Sequence, residues 1–391
     1  MPTADELISA DEIRRLAAVL RRRSPGTSSW RCVEDSAAAL GELSVSGRAR
    51  AVGEALLADC DRDHARLAQA VRAALADPEL TGWMVWPVTE AVAAAATGAG
   101  GDRPSDDTSA PASMFVDHDA FDDGLDLLAR LTPRLTAEFA LRTFLVADLD
   151  RTLAAARAWT ASPDPAVRRL ASEGTRPRLP WARQVPSINR DPRVTVPLLD
   201  ALHTDTSEDV RRSVANHLND ISRLDVHLAT SVAARWLRGP DPTTPALVRH
   251  AMRTLVKAGE PAALELVGFH GGRDDLKVVG PVVTETRIPM GGTLAFTAHI
   301  TNVSAGPVSL SVDYVVHHMK ANGRTAPKVF KLTRRDLAPG ESAELTRTHS
   351  FRPITTRVYH PGTHAVQLQV NGHRFDEVEF TLGPVPGDGG S

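Results

Sequence analysis

Cysteine is almost missing from this chain: Cys32 and Cys60 are the two thiols in 391 residues. Two thiols cannot staple a chain of this length, which excludes a disulfide-built secreted scaffold and fits a reducing cytoplasm. No apolar run approaches the roughly 18 residues of a membrane-spanning helix. The acidic, polar stretch MPTADELISADEIRR does not read as a signal peptide. No spacing of Cys and His suggests zinc, no glycine-rich loop follows a strand, and no Gly-x-Ser-x-Gly elbow occurs. A metal centre, a phosphate-cradling nucleotide loop and α/β-hydrolase chemistry are therefore not expected, and neither is a cofactor. The formal net charge of −3 argues against a polyanionic partner only as an average; the distribution of charge matters more.

What is present falls into two unlike textures, in a chain long enough for two or three domains. Up to about Gly268 the sequence is rich in Ala, Leu and Arg, with apolar residues at helical spacing, as in Ile13, Leu16, Ala17 and Leu20. After about Leu276, Val and Thr dominate and the apolar residues alternate, as in 293–300 and 364–370. Turn signals punctuate this part at Met290-Gly291-Gly292, Ala338-Pro339-Gly340, Pro361-Gly362 and Asn371-Gly372. Short strands at this spacing predict an immunoglobulin-like β-sandwich of the disulfide-free kind over 276–384. The expected organisation is an all-α domain over 1–269, a linker at 270–275, the sandwich, and a flexible tail over 385–391. A Gly/Pro/Ser/Asp-rich insertion at 97–113 reads as disordered.

The helical part repeats itself. Asp164-Pro165-Ala166-Val167-Arg168-Arg169 recurs as Ser207-Glu208-Asp209-Val210-Arg211-Arg212, with Val167 and Val210 lying 43 residues apart. A fainter copy starts at Pro242. Asp164, Ser207 and Thr243 or Thr244 are placed to cap helices. An amphipathic helix is expected before each copy, at 149–159, 194–203 and 226–237, and an earlier pair at 121–131 and 135–146. Two helices per unit of about 40 residues predict a HEAT-like solenoid whose second helices line a concave face. Arginine is concentrated there: between Arg134 and Arg212 the chain uses no lysine at all. Guanidinium forks suit phosphate, although part of this cluster could pair with neighbouring carboxylates instead.

Three segments stand out: 135–142 (LTAEFALR), 171–181 (ASEGTRPRLPW) and 211–221 (RRSVANHLNDI). In the second, Gly174 is expected to end a helix and two prolines to hold the next stretch extended, projecting arginines and Trp181. These segments resemble the HEAT-repeat alkylpurine DNA glycosylases of the AlkC/AlkD group, and the AlkC branch in particular. The resemblance spans about 121–237 and is weak over the first hundred residues. The C-terminal part, with Pro327-Lys328-Val329-Phe330-Lys331 and 350–357, is similar to the immunoglobulin-like extension that some AlkC-type proteins carry.

The resemblance implies an enzyme that hydrolyses the N-glycosidic bond of cationic bases, 3-methyladenine and also 3-methylcytosine, in damaged duplex DNA without flipping the base. By position it assigns Glu138, Trp181 and Asp220 to the catalytic cleft. Carboxylates near a developing oxocarbenium, a positioned water and an aromatic face are chemically apt, because a cationic base leaves without a strong acid. Arg142, Arg168, Arg169, Arg176, Arg178, Arg211, Arg212, Asn216 and His217 are the expected DNA contacts of the helical domain. Lys328, Lys331, Arg352 and Arg357 are those of the sandwich. A monomer acting in the bacterial cytoplasm, at the nucleoid, completes the expectation. Simpler roles remain open for the residues themselves: Glu138 and Arg142 as an i,i+4 surface pair, Asp220 as a helix cap, Trp181 as packing. A non-catalytic HEAT-type DNA-binding or scaffold protein, or a protein adaptor, is the alternative at the level of the whole chain.

Overall fold

The computed structural model describes residues 4–99, 117–353 and 358–383. The expected 97–113 insertion, beyond its first residues, and the 385–391 tail lie outside the described residues. The chain divides into two units, Met1–Leu228 with Asp241–Leu247, and Ala229–Pro240 with Val248–Ser391.

The first unit is built from helices that start where the sequence supplies a side-chain acceptor. Ser9, Asp63, Asp117, Asp148 and Asp164 each accept a first-turn amide of the following helix. Ile13, Leu16, Ala17 and Leu20 form one buried stripe on the helix Ala10–Arg23. The helix Val85–Thr97 is apolar around most of its circumference and accordingly sits centrally, in contact with Val45–Asp59, His118–Leu131 and Glu138–Ala147. The helices of the repeated part are Leu149–Trp159, Pro165–Glu173, Val196–Leu202, Glu208–Ile221, Val226–Leu237 and Thr244–Ala251.

Three local expectations need correction. The helix foreseen from Leu135 begins at Glu138, because Pro133 lies in a 3-10 turn over Thr132–Arg134. The Thr132 and Thr136 hydroxyls then take the amides of Ala137 and Glu138. Ser207 occupies an N-cap position without a side-chain bond. Asp241, not a threonine, caps the helix Thr244–Ala251 by accepting the Thr243 and Thr244 amides.

Gly124 shows how tightly this unit is packed. A Cβ there would lie 2.6 Å from the Ala96 Cβ and 2.8 Å from the Phe144 Cζ. Gly124→Ala is therefore expected to destabilise the protein by about 1–3 kcal/mol, through overpacking rather than backbone strain. Calorimetry reads this as a fall in Tm; an unchanged Tm would refute the tight contact.

The second unit ends in eight strands: β1 (Leu276–Val283), β2 (Arg287–Ile288), β3 (Thr293–Asn302), β4 (Val308–Met319), β5 (Thr325–Leu337), β6 (Ser342–Ser350), β7 (Gly362–Val370) and β8 (His373–Leu382). They form two sheets, β1-β3-β6 and β2-β8-β7-β4-β5, antiparallel except where β2 runs parallel to β8. Phe296, Tyr314, Val316, Phe351, Val366, Leu368 and Phe380 fill the space between them. β3 alternates in burial as its sequence does, whereas β7 is buried on both faces. β7 is interior to its sheet, and its Gln367 is occupied by His317 and the Phe375 carbonyl. At the β7–β8 turn, Gly372 meets Gly259, which ends the helix Arg253–Ala258. A Cβ on Gly372 would lie 1.7 Å from the Gly259 carbonyl oxygen, so helix end and turn meet backbone to backbone. Among the described residues no helix is long and apolar enough to cross a membrane.

Candidate functional site

Two of the three catalytic candidates meet in one chain of alternating charge. Glu138 opens its helix, where the dipole favours a carboxylate, and its Oε2 accepts from Thr136 Oγ1 at 2.9 Å and Arg169 Nη1 at 2.9 Å. Arg169 also reaches toward Glu173 Oε1 at 3.9 Å. Glu173 closes its helix, against the dipole, and is held there by Arg176 Nη1 at 2.6 Å and Ser213 Oγ at 2.7 Å. Arg176 Nε then donates to Asp220 Oδ2 at 2.8 Å. Glu138, Glu173, Arg176 and Asp220 are each between 6% and 8% exposed.

Three carboxylates thus share two guanidinium groups in a buried setting. Burial pushes the Glu138 and Asp220 carboxyls above their ordinary values of 4.5 and 3.8. The opposing pull comes from Arg169 on the first, and from Arg176 and the Arg178 amide on the second. Such a cluster can set carboxylate charge against a nearby cation.

Trp181 lies largely outside the core. It is 55% exposed and sits at φ +65°, a left-handed conformation unfavourable to a bulky side chain. Its loop is a run of turns from Gly174 to Ala182, not the extended stretch that the prolines suggest. Gly174 has an ordinary helical φ of −67°. It is required instead by close approach, since a Cβ would lie 2.5 Å from the Leu141 Cδ2.

Arg142 holds this loop from below. It is fully buried and makes no pair with Glu138; its Nη1 donates to the Gly174 and Arg176 carbonyls at 3.3 and 2.8 Å, and its Nε to the Arg183 carbonyl. One guanidinium therefore ties both ends of the Trp181 loop. Burial pulls its pKa down to about 10, which leaves it charged at neutral pH.

Several expected DNA contacts are committed elsewhere. Arg168 pairs with Asp205 at 2.6 Å and donates to the Ser162 and Pro163 carbonyls. Arg211, 43 residues on, donates to the carbonyls of Asp205 and Thr206. Both brace the turn before their own helix. His217 is completely buried, with Nδ1 2.9 Å from the Ser172 carbonyl and Nε2 3.1 Å from Thr195 Oγ1. Burial drives its pKa down to about 3, so it is neutral and no phosphate partner. Arg169 and Arg176 serve the carboxylates. Arg178 and Arg212 are exposed, Arg212 paired with Glu208, and Asn216 is half-buried. Lys328 and Arg352 are exposed on the sandwich, and Lys331 pairs with Asp313 at 3.3 Å. Arg357 lies outside the described residues.

Sequence reasoning missed Glu173 as a site residue and a cavity of about 640 Å³ lined by Arg50, Trp86, Glu90, Phe139, Trp181 and Arg183 among others. The Trp86 and Phe139 rings stack at 4.3 Å, and the Trp86 indole donates to Glu90 at 2.9 Å. Trp181 lines this cavity, and Phe139 follows Glu138 on the helix Glu138–Ala147. Glu173 stands inside the 171–181 motif, which is the signal that could have found it. Among the described residues no group of His, Cys, Asp and Glu could hold a metal ion.

Comparison with known proteins bears on this arrangement. A family model described as the C-terminal Ig-like domain of the uncharacterised protein YhaZ matches residues 277–384. The uncharacterized protein YhaZ of Bacillus subtilis (strain 168) is 37% identical over 262 residues, covering 67% of this chain and 72% of that one. The solved structure of the Pseudomonas fluorescens alkylpurine DNA glycosylase AlkC, bound to DNA containing an abasic site analog, superposes with a TM-score of 0.75. It is 32% identical and covers 98% of this chain and 100% of its own.

Proposed function

This chain belongs to the AlkC family of alkylpurine DNA glycosylases, and on that basis we propose that it excises cationic alkylated bases from duplex DNA. The substrates are 3-methyladenine and 3-methylcytosine, each attacked without being turned out of the helix. The observation that carries this reading is the buried Glu138–Arg169–Glu173–Arg176–Asp220 chain, whose Arg176 stands on the same loop as the exposed Trp181.

The chemistry follows from charge. As the C1′–N bond breaks, its electron pair goes to the cationic base, which leaves neutral, and positive charge moves to the deoxyribose. Asp220 and Glu138 stabilise that oxocarbenium, and one of them orients the attacking water and takes its proton. The leaving group needs no acid, so neutral purines are poor substrates. Trp181 packs against the nucleotide. The helical part is a HEAT-like repeat, supported by the matching bracing of Arg168 and Arg211. The sandwich adds a second DNA contact through Lys328 and Arg352, and the enzyme works as a cytoplasmic monomer on nucleoid DNA.

The direct test is release of free 3-methyladenine from freshly methylated duplex. Release is expected; none would leave a non-catalytic DNA-binding protein. Two further outcomes are expected of the active protein. Its rate falls in acid as Glu138 and Asp220 protonate, with the acid limb above 3.8–4.5 because both pKa values are raised. Trp181→Ala lowers kcat/KM by roughly 5- to 150-fold, the worth of one aromatic stack, with Tm nearly unchanged because the side chain is exposed. A large fall in Tm would make Trp181 a packing residue.

A further inference from the structure

The second unit contains a cavity of about 340 Å³ that the reaction does not use. Its walls carry Arg249, Arg253, Lys257, Lys331 and Arg334 against a single carboxylate, Asp313. Local geometry gathers these cations. Arg253 and Lys257 are four apart on the helix Arg253–Ala258 and share its face, and Arg249 stands in the last turn of the helix Thr244–Ala251. Lys331 and Arg334 are three apart on β5 and would point to opposite faces of a regular strand. A bulge opposite Val312/Asp313 shifts the register, Val312 pairing with Thr333 and Asp313 with Lys331. The extra residue, Leu332, brings Lys331 and Arg334 to one side.

Both cations lie over the buried Phe269 ring, at 5.8 and 5.0 Å from its centre. Asp313 is occupied by Lys331 at 3.3 Å. Arg249, Lys257 and Arg334 form no ion pair among the described residues. Val256, Val267 and Val329 give the cavity an apolar floor. The backbone contact of Gly259 with Gly372 fixes the helical wall against the sheet wall.

We propose that this cavity binds a phosphate group. Five cations line the cavity against one carboxylate, which Lys331 already occupies, and this excess of positive charge suits a multiply contacted anion. The volume stands at the small end of ligand sites, roughly 300–1,000 Å³, and suits a phosphate with its attached sugar. That phosphate is supplied either by a DNA backbone or by a free phosphorylated molecule. The site is independent of Glu138 and Asp220, so failure here leaves the glycosylase reading intact.

The test compares the full-length protein with a Lys257→Gln/Arg334→Gln double variant, both positions being exposed. A Lys277→Gln/Arg287→Gln variant removes equal charge from exposed positions elsewhere in the unit. Undamaged duplex binding is followed across salt, and Tm with and without pyrophosphate. If DNA supplies the phosphate, the first variant binds duplex more weakly and its log–log salt slope falls by about 0.9 per lost contact. If a free molecule supplies it, duplex binding is unchanged and pyrophosphate raises the Tm of the parent but not of that variant. The proposal is overturned if both readouts match the parent, or if the control variant changes them equally.

Discussion

Asp220→Asn is expected to lower base release about 10²- to 10³-fold, the usual cost of removing one electrostatic contact to a transition state. The substitution keeps the shape and leaves an oxygen for Arg176 and the Arg178 amide, so the surrounding loop stays in place. What it removes is the charge that, on the proposed mechanism, faces the developing oxocarbenium. Binding to undamaged duplex should hold or improve, because a carboxylate that repels phosphates is gone. Glu138→Gln should act in the same direction. Single-turnover release from methylated duplex, with duplex affinity measured in parallel, separates these outcomes. Release surviving both substitutions would move the catalytic centre away from the charge chain, whatever the affinity did.

Arg142→Met carries the second large effect, and it falls on stability. The substitution keeps the length of the stem but withdraws the donors from the carbonyls of Gly174, Arg176 and Arg183. Charge-assisted bonds to buried groups are worth about 1.5–3 kcal/mol each, and the stranded carbonyls add their own penalty. A loss of about 3–5 kcal/mol is expected, comparable to breaking a buried ionic contact. For a protein of this size that is a fall of roughly 4–6 °C in Tm. Release should also drop, since the Trp181 loop loses its anchor. The contrast with Trp181→Ala, which costs activity but not stability, is diagnostic. An Arg142→Met protein with parental Tm would show that the loop is held by its own turns.

Much of this was legible in the sequence, for identifiable reasons. Glycine-bearing turns mark their own positions, so Gly291, Gly340, Gly362 and Gly372 delimit strands well. The 43-residue recurrence around Val167 and Val210 reports a repeated local structure, and the structure repeats the bracing by Arg168 and Arg211 down to the carbonyls used. The roles of individual arginines were not legible. A guanidinium that will bond to backbone carbonyls has no partner residue to betray it, so Arg142, Arg168 and Arg211 look like phosphate ligands. The i,i+4 spacing of Glu138 and Arg142 suggested a pair. The fold instead turns Glu138 toward Arg169 of the next helix and sinks Arg142 under a loop more than thirty residues away. Glu173 was hidden for the opposite reason: a carboxylate among arginines reads as a surface partner until its burial is seen.

The imbalance of three carboxylates and two guanidinium groups also bears on turnover. On the proposed mechanism, a lesion arriving with its positive charge completes the alternation. Once the glycosidic bond has broken, the freed base is neutral and no longer completes it. On that mechanism the force that drew the base in is extinguished by the reaction itself, and product departure is expected to need no separate conformational trigger.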